Sequence, residues 1–94
     1  SVTKHGIQGL TTTSAIELAQ HNILVNSVSP GFVDTELTRR NLSSGEIENL
    51  KEQIPLGRLA TKEEISKAII FLASDLNTYI TGQNLIVDGG FVNA

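Results

Sequence analysis

The sequence predicts an α/β fold built on parallel strands. Two short apolar runs, residues 23–28 and 84–87, carry that expectation. Between them lie stretches with helical periodicity, two of which open with a Ser/Thr followed three residues later by Glu. A further helical stretch precedes the first run. Strands separated by helices point to right-handed crossovers and a parallel sheet.

The first helix is expected over residues 2–20. Ile7, Leu10, Thr11, Ser14, Ala15, Leu18 and Ala19 repeat at the spacing of one helix face. Gly6 and Gly9 each cost about 1 kcal/mol relative to Ala there. With Thr13 they form a row of small residues suited to close approach of another backbone. His21-Asn22 supplies the stop, because Asn tolerates the left-handed conformation that follows a helix.

The run Ile23-Leu24-Val25-Asn26-Ser27-Val28 lacks clean alternation, which fits a strand buried on both faces. Pro30-Gly31 is expected to end it. Asp34 or Thr35 caps a short turn of helix toward Asn41. Ser43 with Glu46 opens a helix carrying Ile47, Leu50 and Ile54. Residues 54–58 are a loop. Thr61 with Glu64 opens a last helix, with Ile65, Ala68, Ile69 and Leu72 on its stripe. Asn84-Leu85-Ile86-Val87 forms the second strand, closed by Asp88-Gly89-Gly90. Two parallel strands cannot cover their own edges, so these 94 residues are expected to be part of a larger sheet.

Composition removes several function classes. The net charge of −3 argues against a phosphate-backbone binder. With no cysteine there is no disulfide framework and no zinc–thiolate site. The longest apolar run, residues 68–73, is far shorter than the ~20 residues that span a bilayer. No basic, then apolar, leader opens the sequence, and the absence of cysteine fits a reducing compartment, with the cytoplasm as the expected location. No metal, nucleic-acid or membrane partner is expected.

Four stretches carry chemistry. The first is Ser1-Val2-Thr3-Lys4-His5-Gly6-Ile7-Gln8-Gly9-Leu10-Thr11. The second runs Val25-Asn26-Ser27-Val28-Ser29-Pro30-Gly31-Phe32-Val33-Asp34-Thr35. Then come Ile54-Pro55-Leu56-Gly57-Arg58, and Tyr79-Ile80-Thr81-Gly82-Gln83 leading into Val87-Asp88-Gly89-Gly90. In this order and spacing the chain resembles the C-terminal portion of classical short-chain dehydrogenases/reductases, most nearly 3-oxoacyl-acyl-carrier-protein reductases. The resemblance covers essentially the whole chain.

That resemblance implies the C-terminal part of a doubly wound, parallel-sheet Rossmann fold, in the order helix-strand-helix-helix-strand. Residues 1–94 would be one segment of a single NAD(P)-binding domain whose dinucleotide-binding half, with its glycine fingerprint, Asn-Ala-Gly turn and catalytic Ser, is absent here. It places the catalytic Tyr of the Tyr-x-x-x-Lys motif one position before Ser1, with Lys4 as the motif's Lys. A lysine one helical turn from a tyrosine shares its face, and its ammonium favours the phenolate. The family's Lys also bonds the cofactor ribose. Its Tyr acts as general acid/base at the carbonyl or alcohol oxygen.

By the same resemblance, Pro30, Gly31, Val33 and Thr35 hold the nicotinamide of NAD or NADP. The Val33 backbone meets the carboxamide, Thr35 the carboxamide or a nearby phosphate, and Pro30-Gly31 shapes the turn. This loop follows the C-terminal end of a predicted parallel strand, where open α/β sheets bind ligands. Residues 36–53 correspond to the family's variable substrate lid. The implied activity is hydride transfer between nicotinamide and a small carbonyl/alcohol substrate, with a 3-oxoacyl thioester as one candidate, in a homodimer or homotetramer. Phe91 is expected to be buried against a neighbouring subunit. The rival reading is a catalytically silent fragment that serves assembly with a partner.

Other polar residues read as structural. His5 is assigned to the helix surface, Asn26 to backbone bonding, Arg58 to an acid or carbonyl partner, and Asp88 to a turn. Tyr79 lies in a loop far along the sequence from Lys4 and is not the catalytic tyrosine.

Overall fold

The computed structural model describes residues 2–91, with side chains from Gly6 onward. The order is α1 (Val2–Ala19), β1 (Ser27–Pro30), α2 (Glu36–Asn41), α3 (Ser44–Gln53), α4 (Lys62–Ala73) and β2 (Asn84–Val87). β1 and β2 pair as a two-stranded sheet. The Ser27 N–H donates to Gln83 O and the Gly31 N–H to Val87 O, both at 2.9 Å, so the register advances together and the pair is parallel.

The chain divides into two compact units. One takes the chain up to Ser29 with Ile69–Leu85; the other takes residues 30–68 and the chain from Ile86 onward.

In the first unit, α1 ends as its sequence suggests. Ile23 N–H donates to Leu18 O and Asn22 N–H to Ala19 O, and Asn22 has φ +59°. This is the Schellman pattern with Asn in the left-handed position. Thr11 and Ala15 are the buried residues of the helix, whereas Ile7, Leu10 and Ile16 are exposed. A Cβ added at Gly6 or Gly9 would meet nothing within 4 Å.

Strand β1 corrects the expected boundaries. Residues 23–26 are not strand, and the strand runs through Pro30 instead of stopping before it. The reason lies in side chains that replace the ladder. Val25 N–H donates to Thr81 Oγ1 at 2.9 Å and Val25 O accepts from Gly82 N–H at 2.7 Å. Asn26 Nδ2 donates to Ile80 O, and its Oδ1 accepts from Gln83 N–H. Both backbone groups of Val25 are thus satisfied outside a regular ladder. Pro30 fits the strand because alternation turns residues 27, 29 and 31 toward β2 and residue 30 away, so no bond to β2 needs its missing N–H. Asn84 Oδ1 accepts from both Ser27 Oγ and Ser29 Oγ at 2.9 Å.

Asn77, 6% exposed, organises the turn after α4. Its Nδ2 donates to Leu72 O and Ile80 O, and its Oδ1 accepts from the N–H groups of Tyr79 and Ile80.

The second unit is built on Ile47, Ile54 and Leu59, with Leu42, Leu50 and Phe91 packed against them. Both capping boxes are present. Ser43 Oγ accepts from Glu46 N–H while Glu46 Oε1 accepts from Ser43 N–H. Thr61 and Glu64 exchange the same two bonds at the head of α4. Along α4, Ile65, Ala68 and Leu72 are half-buried, whereas Ile69 is exposed together with Ile70 and Phe71.

Two of the motif stretches meet here. Leu56 N–H donates to Gly89 O at 3.2 Å. Gly89 and Gly90 have positive φ, and a Cβ on them would stand 3.0 Å from Ile54 Cγ2 and 3.1 Å from Pro55 Cγ. The loop of residues 54–57 is seated on the Gly89-Gly90 turn, which needs glycine for conformation and for space.

Candidate functional site

Residues 30–35 leave the C-terminal end of β1 along a path set by two neighbours. Ala60 N–H donates to Phe32 O at 2.9 Å and Asp34 N–H donates to Ala60 O at 2.8 Å, which makes Val33 the centre of an isolated parallel bridge to Ala60. In such a bridge the N–H and C=O of the central residue face away from the partner. Val33 O is taken by Thr38 Oγ1 at 2.7 Å. Among the described residues, the Val33 N–H has no hydrogen-bond acceptor, and its direction away from Ala60 leaves it open to a ligand.

Thr35 is the N-cap of α2, with extended backbone (φ −128°, ψ 168°) and Oγ1 accepting from Thr38 N–H at 3.2 Å. The two hydroxyls lie 3.1 Å apart. Because Val33 O can only accept, the Thr38 proton is spent on it, and Thr35 must be the donor to Thr38 Oγ1. While that bond is made, Thr35 keeps one lone pair and no free proton. Asp34 is clamped by Arg39 through two bonds, Nε to Oδ1 at 2.8 Å and Nη2 to Oδ2 at 2.9 Å. That guanidinium holds the Asp34 carboxyl below its ordinary range.

Gly31 is explained by contact. A Cβ there would stand 2.8 Å from Asp88 Cβ and 2.9 Å from Asp88 Cα. Asp88 itself caps the following turn, its Oδ1 accepting from Gly90 N–H at 3.0 Å. Among the described residues no group of three or more potential metal-ligating side chains occurs.

The sequence-predicted residues Pro30, Gly31, Val33 and Thr35 are thus all in the second unit, on one continuous segment. The Lys4 backbone belongs to α1, and its side chain lies outside the described residues, as does that of His5. Asn26 and Asp88 take the backbone roles expected of them, and Tyr79 is 94% exposed. Phe91 is half-buried in its own unit, its ring 5.5 Å from that of Phe32 in an edge-to-face pair.

A cavity of about 90 Å³ is lined by Phe32, Leu56, Arg58, Ala60, Glu64, Val87, Asp88 and Gly89. It is smaller than the roughly 300–1,000 Å³ of ordinary ligand pockets. Arg58 and Glu64 in its wall satisfy each other through two bonds of 2.8 and 2.9 Å, and Arg58 Nη1 also reaches Leu59 O at 3.3 Å. This cavity does not include Pro30, Gly31, Val33 or Thr35, and it is not the expected nicotinamide contact. Sequence reasoning missed Thr38 and the Asp34–Arg39 clamp. The signal for Thr38 was its place three residues after Thr35, where an N-cap receives its backbone bond.

Comparison with known proteins decides the family. The family profile described as Enoyl-(Acyl carrier protein) reductase matches residues 1–92. The chain belongs to the short-chain dehydrogenase/reductase family. Among relatives of this family, the 3-oxoacyl-[acyl-carrier-protein] reductase FabG of Aquifex aeolicus is 48% identical over 91 residues, covering 96% of this chain and 36% of that protein. The trans-4-hydroxycyclohexanecarboxylate dehydrogenase of Sinomonas cyclohexanicum is 53% identical over 87 residues, covering 93% and 31%. A solved 4-hydroxyisoleucine dehydrogenase mutant, complexed with NADH and succinate, superposes with a TM-score of 0.87 at 35% identity, covering 99% of this chain and 39% of that one. The chain spans about a third of the length of these short-chain dehydrogenase/reductase relatives. The α/β fragment with two parallel strands is thus a short-chain dehydrogenase/reductase segment.

Proposed function

We propose that this chain is the C-terminal segment of a single NAD(P)-binding domain, in an oxidoreductase that transfers a hydride between nicotinamide and a carbonyl or alcohol substrate. The observation that carries the reading is the pair of unspent groups beyond β1. Val33 offers one N–H donor and Thr35 one lone pair, and a carboxamide presents the complementary acceptor and donor. A bound nicotinamide would supply or accept the hydride, as is the rule for such cofactors.

The chain's own part is orientation and electrostatics. Val33 and Thr35 would hold the carboxamide, and Pro30-Gly31 would lie beside the ring. Lys4 keeps a cationic charge one helical turn from the motif's tyrosine position, lowering the cost of the phenolate that exchanges a proton with the substrate oxygen. In reduction, the tyrosine that the motif places before Ser1 would give its phenol proton to the substrate oxygen while the bound cofactor would supply the hydride.

The substrate class best supported is a 3-oxoacyl thioester, because FabG enzymes are among the relatives matched over nearly all of this chain. The assembly is a homodimer or homotetramer in the cytoplasm. No described helix is long and apolar enough to cross a membrane.

The test is titration of the intact enzyme with NADH and NADPH, followed by turnover of acetoacetyl-coenzyme A. Saturable binding of one dinucleotide, weakened by Thr35→Val, is the expected result. Absence of binding for both overturns the reading and leaves an assembly module as the surviving alternative.

A further inference from the structure

We infer that Thr38 is a positioning residue that makes the site select a carboxamide over a carboxylate. The inference rests on the nicotinamide reading of Val33 and Thr35 and goes further, because it assigns the proton inventory of the site to a residue that would not itself touch the ligand.

The argument begins with the Thr38 hydroxyl, which has one proton and two lone pairs. Its 2.7 Å partner is Val33 O, an acceptor only, so its proton points there. The Thr35 hydroxyl, 3.1 Å away, must then give its own proton to Thr38 Oγ1. The Thr38 N–H, bonded to Thr35 Oγ1 at 3.2 Å, takes one of the two Thr35 lone pairs. Two consequences follow. Val33 shows a ligand its N–H as the one donor, and its carbonyl already accepts a bond from Thr38. Thr35 shows a ligand only an acceptor.

A carboxamide fits that pattern, with its oxygen on Val33 N–H and its NH₂ on Thr35 Oγ1. A carboxylate does not, because both of its oxygens accept and one would face the Thr35 lone pair. The selectivity therefore depends on Thr38 keeping the Thr35 proton engaged. Without the Thr38 hydroxyl, Thr35 regains a free proton and can donate to either ligand.

The experiment measures dissociation constants of the intact enzyme for the dinucleotide it prefers and for the nicotinic-acid counterpart of that dinucleotide. The readout is the ratio of the two. Wild type is expected to favour the amide. Thr38→Val, which is close in shape, is expected to shrink the ratio by about tenfold, the scale of one hydrogen bond gained by the acid. Thr38→Ser keeps the hydroxyl and is expected to keep the ratio. A Thr38→Val enzyme that weakens both ligands equally, or neither, overturns the inference and leaves Thr38 a structural residue. Loss of the ratio in Thr38→Ser also overturns it. Should Thr38→Val fail to fold, Thr35→Val carries the test, because it removes the acceptor, and an unchanged ratio there overturns the inference. A wild type that binds neither dinucleotide refutes the functional reading itself, an outcome distinct from these.

Discussion

Gly31 and Asp88 approach so closely that a Cβ on residue 31 would stand 2.8 Å from the Asp88 Cβ. The other near atom is backbone, Asp88 Cα at 2.9 Å, so no flexible side-chain end can swing aside. Gly31→Ala is expected to push the strand ends apart at a cost of about 1–3 kcal/mol, the range for overpacking a close contact. Denaturant unfolding of the intact protein measures it, and a midpoint equal to wild type would contradict the close approach.

Glu64 provides a pH prediction. The Arg58 guanidinium, and then the Thr61 backbone bond, lower its pKa from 4.5 to about 2. A carboxyl whose folded value is depressed adds stability above its unfolded value, and that contribution disappears as pH falls from about 4.5 to about 2. Glu64→Gln is therefore expected to flatten the acid limb of the stability curve over this window and leave its slope near neutrality unchanged. Thermal melts across pH 2–7 check both.

Asn77 makes four bonds to backbone groups from a buried position. Truncation to Ala strands buried carbonyls and N–H groups, each at about 1–3 kcal/mol if left unpaired. Asn77→Ala is expected to lower the melting temperature more than Ser43→Ala, which loses an exposed cap worth about 1 kcal/mol. The reverse order would show that the turn after α4 is loosely held.

Expressed alone, Ser1–Ala94 is expected to melt without a sharp transition. Among the described residues the buried apolar side chains are Ala15, Ile47, Ile54 and Leu59, whereas Leu10, Ile16, Ile70 and Ile86 are each more than 60% exposed. That burial does not offset an ordering cost of about 1–2 kcal/mol per residue. A cooperative circular dichroism melt from a monomer would refute this.

Local signals were legible to the residue. The strand Asn84–Val87, the boxes at Ser43 and Thr61, and the Asn22 stop all depend on neighbours within a few positions, and each is found where its pattern lies. What escaped were features set by distant partners. The start of β1 moved because Thr81, more than fifty positions away, supplies the bond that Val25 needs. Gly31 read as a turn residue, yet its lack of a side chain answers Asp88. Thr38 was marked only by its place three residues after Thr35, and its bond to Val33 O has no counterpart in the sequence.

The orientation of Pro30 has a consequence for the outer margin of β1. Residues 28 and 30 turn their amides away from β2, and the second of these is missing. A strand zipped along that margin would find a donor and an acceptor at Val28 but only an acceptor at Pro30. Further along the same margin Phe32 O is met by the Ala60 N–H, and the Val33 N–H faces the opposite way.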